Sequence, residues 1–234
     1  MRSVYAVSES AAHHPSLLRR AAAYSKKHGI LALARAAFRR YVFVRTRFYV
    51  YVCPHTLTTV GAPRPSIDNF EAAFVSSADE ADQLAQDHDD FRLLDNRARR
   101  GLSNGAVALC LYSGNRLVNV AWLATNEVAR RAIDSIGFPA CPVVHGAWTG
   151  RVRTMPAYEG KGLFRYSCAK RFEYLLSLGI DKSCTSVAQE SVRSHVMSAS
   201  LGCHLAGKGH VVKLLRWRWW QDGQLNPADE EAVR

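Results

Sequence analysis

The stretch Pro156–Phe164, PAYEGKGLF, sets two glycines either side of a lysine, between a strand-like run and a helix-like run. Such a junction has two readings: a turn that needs only flexibility, or a backbone cradle for an anion. A helix N-terminus exposes unpaired N–H groups and about half a positive charge. Glycines ahead of it let several N–H groups converge with no Cβ in the way. Two nucleotide motifs are excluded. A P-loop requires G-x-x-x-x-G-K-[ST], whereas Lys161 is followed by Gly162, and the dinucleotide fingerprint requires glycine where Arg165 stands. Glycine spacing alone leaves both readings open, so the flanks decide.

Upstream, VVHGAWTGRVRTM (143–155) reads as a strand bent at Gly146 or Gly150. Downstream, Phe164, Cys168, Phe172, Leu175 and Leu176 recur at helical spacing, and Gly179 closes the helix. KSCTSVAQE (182–190) then reads as a strand, and SVRSHVMSASLG (191–202) as a second helix with Ser191 as N-cap and Gly202 as its stop. Further out, NFEAAFVSS (69–77) reads as a strand, followed by one or two helices acidic at their start. GAVALCLYSGNRLVNVAWLA is a hairpin turning at Ser113–Arg116, TNEVARRAIDSIG (125–137) a short helical insertion, and HVVKLLRWRWWQ (210–221) a final strand or hairpin arm. Mixed order of this kind predicts an α+β (mixed α/β) fold.

At 234 residues and 48% apolar content the chain can bury a sizeable core. Its net charge of +11 is unevenly placed. Residues 1–50 hold ten Lys/Arg and one acid, Glu9, hence +9, which leaves +2 for the rest. The expected organisation is a basic N-terminal helical arm plus a strand over 1–60, a main domain over 61–223 and a polar tail over 224–234. The arm wants an anionic partner. Two readings of ILALARAAFRRYV stand: a helix docked on the domain with its arginines in water, or an amphipathic helix on a membrane with arginines toward phosphate head groups. Nucleic acid is disfavoured as partner, because few aromatics interleave the first basic residues and no RNA or DNA motif occurs. The run YVFVRTRFYVYV (41–52) is broken by Arg45 and Arg47, so no transmembrane helix is expected, and the N-terminus has no apolar core of a secretory signal. Six scattered cysteines without a C-x-x-C pair point to reduced cytosolic thiols rather than a zinc site or disulfide framework. The expected location is the cytoplasm, with the arm offering peripheral contact at the inner membrane face.

The succession of strand, P-x-Y-x-G-K-G-L-F, helix, strand and a helix ending in Leu201-Gly202 resembles the GNAT superfamily of acyl-CoA-dependent N-acyltransferases, loosely like members from bacterial polysaccharide pathways. The likeness covers about residues 105–212 and includes Ser194 in the later helix. It departs from the family at Ala157, Glu159, Phe164, Ser191 and Cys203, and at Ser198, where many members carry a tyrosine that protonates the departing thiolate. The resemblance implies a mostly antiparallel central sheet flanked by helices, and acetyl-CoA or another acyl-CoA as co-substrate, with no metal. It implies that Tyr158, Glu159, Gly160, Lys161, Gly162, Leu163 and Phe164 form the pyrophosphate loop, with Arg153, Thr154 and Met155 on the strand that pairs with the pantetheine arm and Ser194 beside it. An acceptor amine must lose a proton before it attacks a thioester. Glu190 and His145 are the candidate bases, and Tyr166 is the candidate for reaching the thiolate. Each also has an ordinary reading, as surface glutamate, strand-end histidine and packing tyrosine. The implied acceptor is an amino sugar or another amine presented near a membrane. The alternatives are a GNAT-like acyl-CoA-binding module without turnover and a basic nucleic-acid-binding protein.

Overall fold

The computed structural model describes residues 26, 29–32, 43–56, 64–95, 97–134, 136, 146–214, 217–226 and 229. The chain divides into two compact units. One comprises Met1–Val44 and Lys213–Trp217, and its described residues include the exposed Ile30 and Leu31. The arm helices expected before residue 43 lie mostly outside the described residues. The other unit, Arg45–Val212 with Arg218–Arg234, carries every residue pairing named below.

In chain order the elements are β1 (Phe43–Pro54), β2 (Phe70–Val75), α1 (Ala78–Asp87), α2 (Ala98–Ser103), β3 (Val107–Ser113), β4 (Arg116–Ala124), α3 (Glu127–Ile133), β5 (Ala147–Thr154), α4 (Leu163–Ser177), β6 (Lys182–Ala188), α5 (Val192–Ser200), β7 (His204–Leu214) and β8 (Trp217–Gly223). The strands form one eight-stranded, mostly antiparallel sheet in the order β2-β3-β4-β5-β6-β1-β7-β8. This is the mixed α/β architecture expected.

Period-two alternation explains how the sheet is covered. On β3, Ala108, Cys110 and Tyr112 pack with Val120, Trp122 and Phe91 on one side, while Leu109 and Leu111 pack with Val118 and Leu163 on the other. Both faces of β3 are therefore buried, and its sequence is apolar almost throughout. Removing each such large side chain from water contributes about 1.5–3 kcal/mol. The β3–β4 turn places Gly114 at φ +57, between the paired Ser113 and Arg116. Helix α4 buries Leu163, Cys168, Phe172 and Leu175, and ends where Gly179 at φ +76 lets the Ile180 N–H reach the Leu175 carbonyl.

Two expectations need correction. The strand given to the N-terminal arm is integral to the sheet. From Phe48↔Ala188 to Pro54↔Lys182, β1 runs antiparallel to β6, and the compact units divide between residues 44 and 45 rather than near 60. A sheet edge left by β6 has an unmet row of N–H and C=O groups, and β1 supplies their partners. The thiols are not all reduced either. Cys53 of β1 and Cys203, just ahead of β7, are joined in a disulfide, Cys184 is disulfide-bonded as well, and Cys110 and Cys168 are free and buried. No helix among the described residues is long and apolar enough to cross a membrane.

Candidate functional site

Strands β5 and β6 run parallel and, among the described residues, are paired only at Ala147↔Ser183 and Trp148↔Cys184. Beyond those two positions they part. The opening is a cavity of about 240 Å³, with Thr149–Val152 on one wall and Thr185–Ala188 on the other. Its floor comes from α4 (Phe164, Cys168, Arg171, Phe172) and its roof from α5 and the turn before it (Ser191, Ser194, Met197, Ser198). Serines 191, 194 and 198 recur at helical spacing, which makes the α5 face toward the cavity polar.

The β5 wall is irregular for a local reason. Val120 pairs with Arg153 and Trp122 with Gly150, so β5 carries one more residue than β4 over this interval. That is a β-bulge. Arg151, inside it, has φ +47, a conformation that costs a non-glycine residue free energy. Its side chain is held by Asp95, with Nε at 3.0 Å and Nη2 at 2.6 Å from the two carboxylate oxygens. Gly150 has no room for a Cβ, which would meet the Trp148 ring at 2.5 Å.

At its outer end this opening adjoins a second cavity of about 540 Å³, and Val152, Phe164, Ser191, Ser194 and Met197 line both. The second lies over the glycine loop. Gly160 and Gly162 have φ +79 and +81, and a Cβ on either would meet nothing within 4 Å. These glycines are therefore required by backbone conformation rather than by crowding. Gly162 is the N-cap of α4 and offers no side chain to satisfy the first-turn N–H groups, which remain available to an anion. Arg153, Arg165 and Arg193 line this cavity together with one carboxylate, Glu159. Glu159 is not an unopposed anion beside the loop, because Arg193 reaches it at 3.1 Å from α5.

Of the residues singled out in the sequence, Arg153, Thr154, Tyr158, Glu159, Gly160, Gly162, Leu163, Phe164 and Ser194 come together around the second cavity. Lys161 is exposed and stands over the Tyr158 ring at 5.1 Å, and Met155 donates its N–H to the Val118 carbonyl; neither lines the cavity. Tyr166 does not face the opening. It packs edge-on against Phe70 at 5.0 Å, on the β2–β3 side of α4, because two residues of helix turn it about 200° from Phe164. Glu190 is exposed in the turn between Ala188 and Ser191, which both line the cavity, while its own side chain does not. His145 lies outside the described residues. No Asp, Glu or His lines the inner cavity among the described residues.

The sequence reading missed Arg165, Arg171 and Arg193, and the buried pair Tyr51–His195. Tyr51 Oη lies 2.8 Å from His195 Nδ1, and His195 Nε2 faces the Ala188 and Gln189 carbonyls at 3.0 and 3.2 Å. Carbonyls only accept, so the proton sits on Nε2 and Tyr51 donates to Nδ1. Burial pushes the Tyr51 hydroxyl up to about 12. The pair thus anchors the end of β6 to α5 and β1. No metal-binding cluster of His, Cys, Asp or Glu occurs among the described residues.

No protein-family model matches the chain, and no curated protein matches its sequence. Among solved structures its neighbours include many GCN5-related N-acetyltransferases, all at low identity. A GCN5-related N-acetyltransferase-like protein from Streptococcus suis is similar at 14% identity and TM-score 0.48, over 78% of this chain and 68% of that one. A GCN5-related N-acetyltransferase from Kribbella flavida is similar at 13% identity and TM-score 0.40, over 86% and 66%. A Drosophila protein is similar at 16% identity and TM-score 0.46, over 82% of this chain, which spans only 57% of that protein's length.

Proposed function

We propose that this chain transfers an acyl group from an acyl-CoA, acetyl-CoA in the simplest case, to an amine. One observation carries the reading. Two parallel strands part after two paired positions, and the opening between them runs out over a glycine loop that caps a helix N-terminus. The donor set suits a long ligand with an anionic end. The first-turn N–H groups of α4 and three arginines suit phosphates. The unpaired edge of β5 beyond Trp148 suits a peptide-like arm that adds as a short strand.

An acyl thioester supplies an electrophilic carbonyl and a thiol leaving group; the chain supplies position and polarity. The bulge at Arg151 takes backbone out of the β4–β5 ladder and turns it to the opening, where an N–H group can stabilise developing negative charge on oxygen. In this reading the acceptor's proton leaves through water, along the serine face of α5 toward the turn that carries Glu190. Ser198, a poor acid, borders the same cavity. The absence of a lining base or acid among the described residues also favours a second reading, an acyl-CoA-binding module without turnover. The acceptor we infer is an amino sugar or another amine, brought to a membrane face by the basic residues of 1–50.

Melting with and without acetyl-CoA tests the coenzyme assignment. Ligand at 100 times its dissociation constant should add about 2.7 kcal/mol of stability. No shift with acetyl-CoA, longer acyl-CoAs or free CoA overturns it, and a shift without transfer to any of a panel of amines selects the binding module. For the arm, anionic vesicles should sediment the wild-type chain more than one carrying Arg35→Gln, Arg39→Gln and Arg40→Gln. Equal sedimentation removes the membrane reading.

A further inference from the structure

We infer that the cavity between β5 and β6 takes an acyl group bearing its own carboxylate, held by Arg171. This rests on the acyl-CoA reading above and names the class of acyl donor: the thioester of a short dicarboxylic acid.

Arg171 lies on α4, is 2% exposed and lines the inner cavity. A guanidinium has five N–H donors. Three of these are used, all on neutral acceptors: Nε to the Ser167 carbonyl at 3.2 Å, Nη1 to the Trp122 carbonyl at 3.2 Å and Nη2 to Cys168 Sγ at 3.3 Å. One N–H on each terminal nitrogen is left over among the described residues. Two parallel donors on separate nitrogens are what a carboxylate accepts bidentately.

Nothing on the lining neutralises this charge. Among the described residues Arg171 has no ion pair, and the inner cavity carries no carboxylate. Its other cation, Arg151, is already paired with Asp95. Cys168 does not serve as the anion, because burial pushes its thiol up and keeps it neutral despite the adjacent guanidinium. A buried charge without a partner is costly, and proteins ordinarily satisfy it.

The position also fits. Arg171 bonds the carbonyl of Trp122, and Trp122 is the register partner of Gly150, two residues past the last β5–β6 pair. Arg171 therefore stands at the narrow end of the opening. A ligand whose anionic end sits on the glycine loop and whose arm follows β5 inward brings its acyl end there.

The competing account makes Arg171 a strut that ties α4 to β4 through Trp122. Calorimetric titration of the wild-type chain with free CoA, propionyl-CoA, malonyl-CoA, butyryl-CoA and succinyl-CoA separates the two, since each dicarboxylic donor has a neutral counterpart of equal chain length. The expected result is at least tenfold tighter binding of one dicarboxylic donor than of its counterpart. In Arg171→Gln the preference should fall to threefold or less, with free CoA bound as before. Equal or tighter wild-type binding of the neutral donors overturns the inference and leaves the acyl-CoA reading intact. Failure of CoA and every thioester to bind overturns the reading itself. If Arg171→Gln does not fold, the wild-type series decides alone.

Discussion

Asp95 grips Arg151 with both carboxylate oxygens while the Arg151 backbone sits at φ +47 inside the β5 bulge. The pair is mostly buried, with 9% of the Asp95 side chain and 23% of the Arg151 side chain exposed. A residue 56 positions upstream thus holds the wall of the opening in a conformation its own sequence does not favour. Asp95→Ala should cost about 2 kcal/mol of stability in urea unfolding, because it leaves a partly buried cation unpaired. It should also lower acyl transfer about tenfold, with CoA affinity changed less than threefold, since the bulge and not the phosphate loop is disturbed. Transfer at the wild-type rate would show that the bulge has no part in the chemistry.

The two loop glycines make a separate prediction. A Cβ at Gly160 or Gly162 meets open space, so only the positive φ opposes substitution. Either Gly→Ala change should cost about 1–2 kcal/mol of stability. If the loop cradles phosphate, CoA affinity should fall about tenfold or more in addition, because relief of the strain turns the N–H groups away. A loss of stability with unchanged CoA affinity would reduce the loop to a turn.

These residues show how far the sequence could be read. The glycine loop was legible because strand, Gly-x-Gly and helix are adjacent in the chain, and positive φ is a local demand that glycine meets. Gly179 closing α4 was legible for the same reason. That Tyr166 packs away from the opening was legible from helical geometry alone, since it lies about 200° around from Phe164. The integration of β1 and the Cys53–Cys203 link were not legible. Their partners are more than a hundred residues away, and neither alternation nor cysteine spacing encodes which distant strand a strand joins. Arg171 was hidden in another way: a lone arginine on a helix ordinarily faces water, and only packing shows that this one is buried.

Glu159 and Arg193 give a charge prediction at the outer cavity. Their ion pair is exposed, so it matters little to stability. Its consequence is electrostatic, for both side chains border the loop where we place the phosphates. Glu159→Gln frees Arg193 and removes the one carboxylate that lines that cavity among the described residues, so CoA should bind about two- to fivefold tighter at low salt. Arg193→Ala should bind it more weakly by a similar factor. Both effects should shrink as ionic strength rises. Identical affinities for the two variants would place the phosphates elsewhere.

His55 sets an acid limit on the fold. It is buried, stacked on Phe172 at 4.4 Å, with Nδ1 3.0 Å from the Ile180 carbonyl and Nε2 2.9 Å from Ser183 Oγ. The carbonyl requires the proton on Nδ1, so Nε2 accepts from Ser183 and the ring is neutral. Burial is the chief cause that holds its pKa below the ordinary histidine value of 6.5, with the Arg171 charge adding to the depression. The unfolded chain therefore takes up this proton at higher pH than the folded one. The contribution is whole above about pH 6.5 and is lost as pH falls toward the folded value. Unfolding free energy measured in urea should drop between pH 7.5 and 5.5, and His55→Gln, less stable at pH 7.5, should show a shallower drop. Parallel pH profiles would assign the acid sensitivity to other groups.

The Cys53–Cys203 disulfide closes a span of 150 residues and ties β1 to the chain entering β7, and both cysteines line the inner cavity. A cross-link over so long a span restricts the unfolded chain and stabilises by about 2–5 kcal/mol. Cys203→Ala should therefore lower the melting temperature in the absence of reductant. It should also reduce the further loss on adding reductant, although the bond at Cys184 remains to be broken. The consequence for the site is specific. Without the link, β1 and the β6 wall it pairs with lose their covalent tie to the chain entering β7, so affinity for acyl-CoA should fall more than affinity for free CoA, whose phosphates rest on α4. Equal losses for the two ligands would confine the bond to stability and separate it from the opening between the strands.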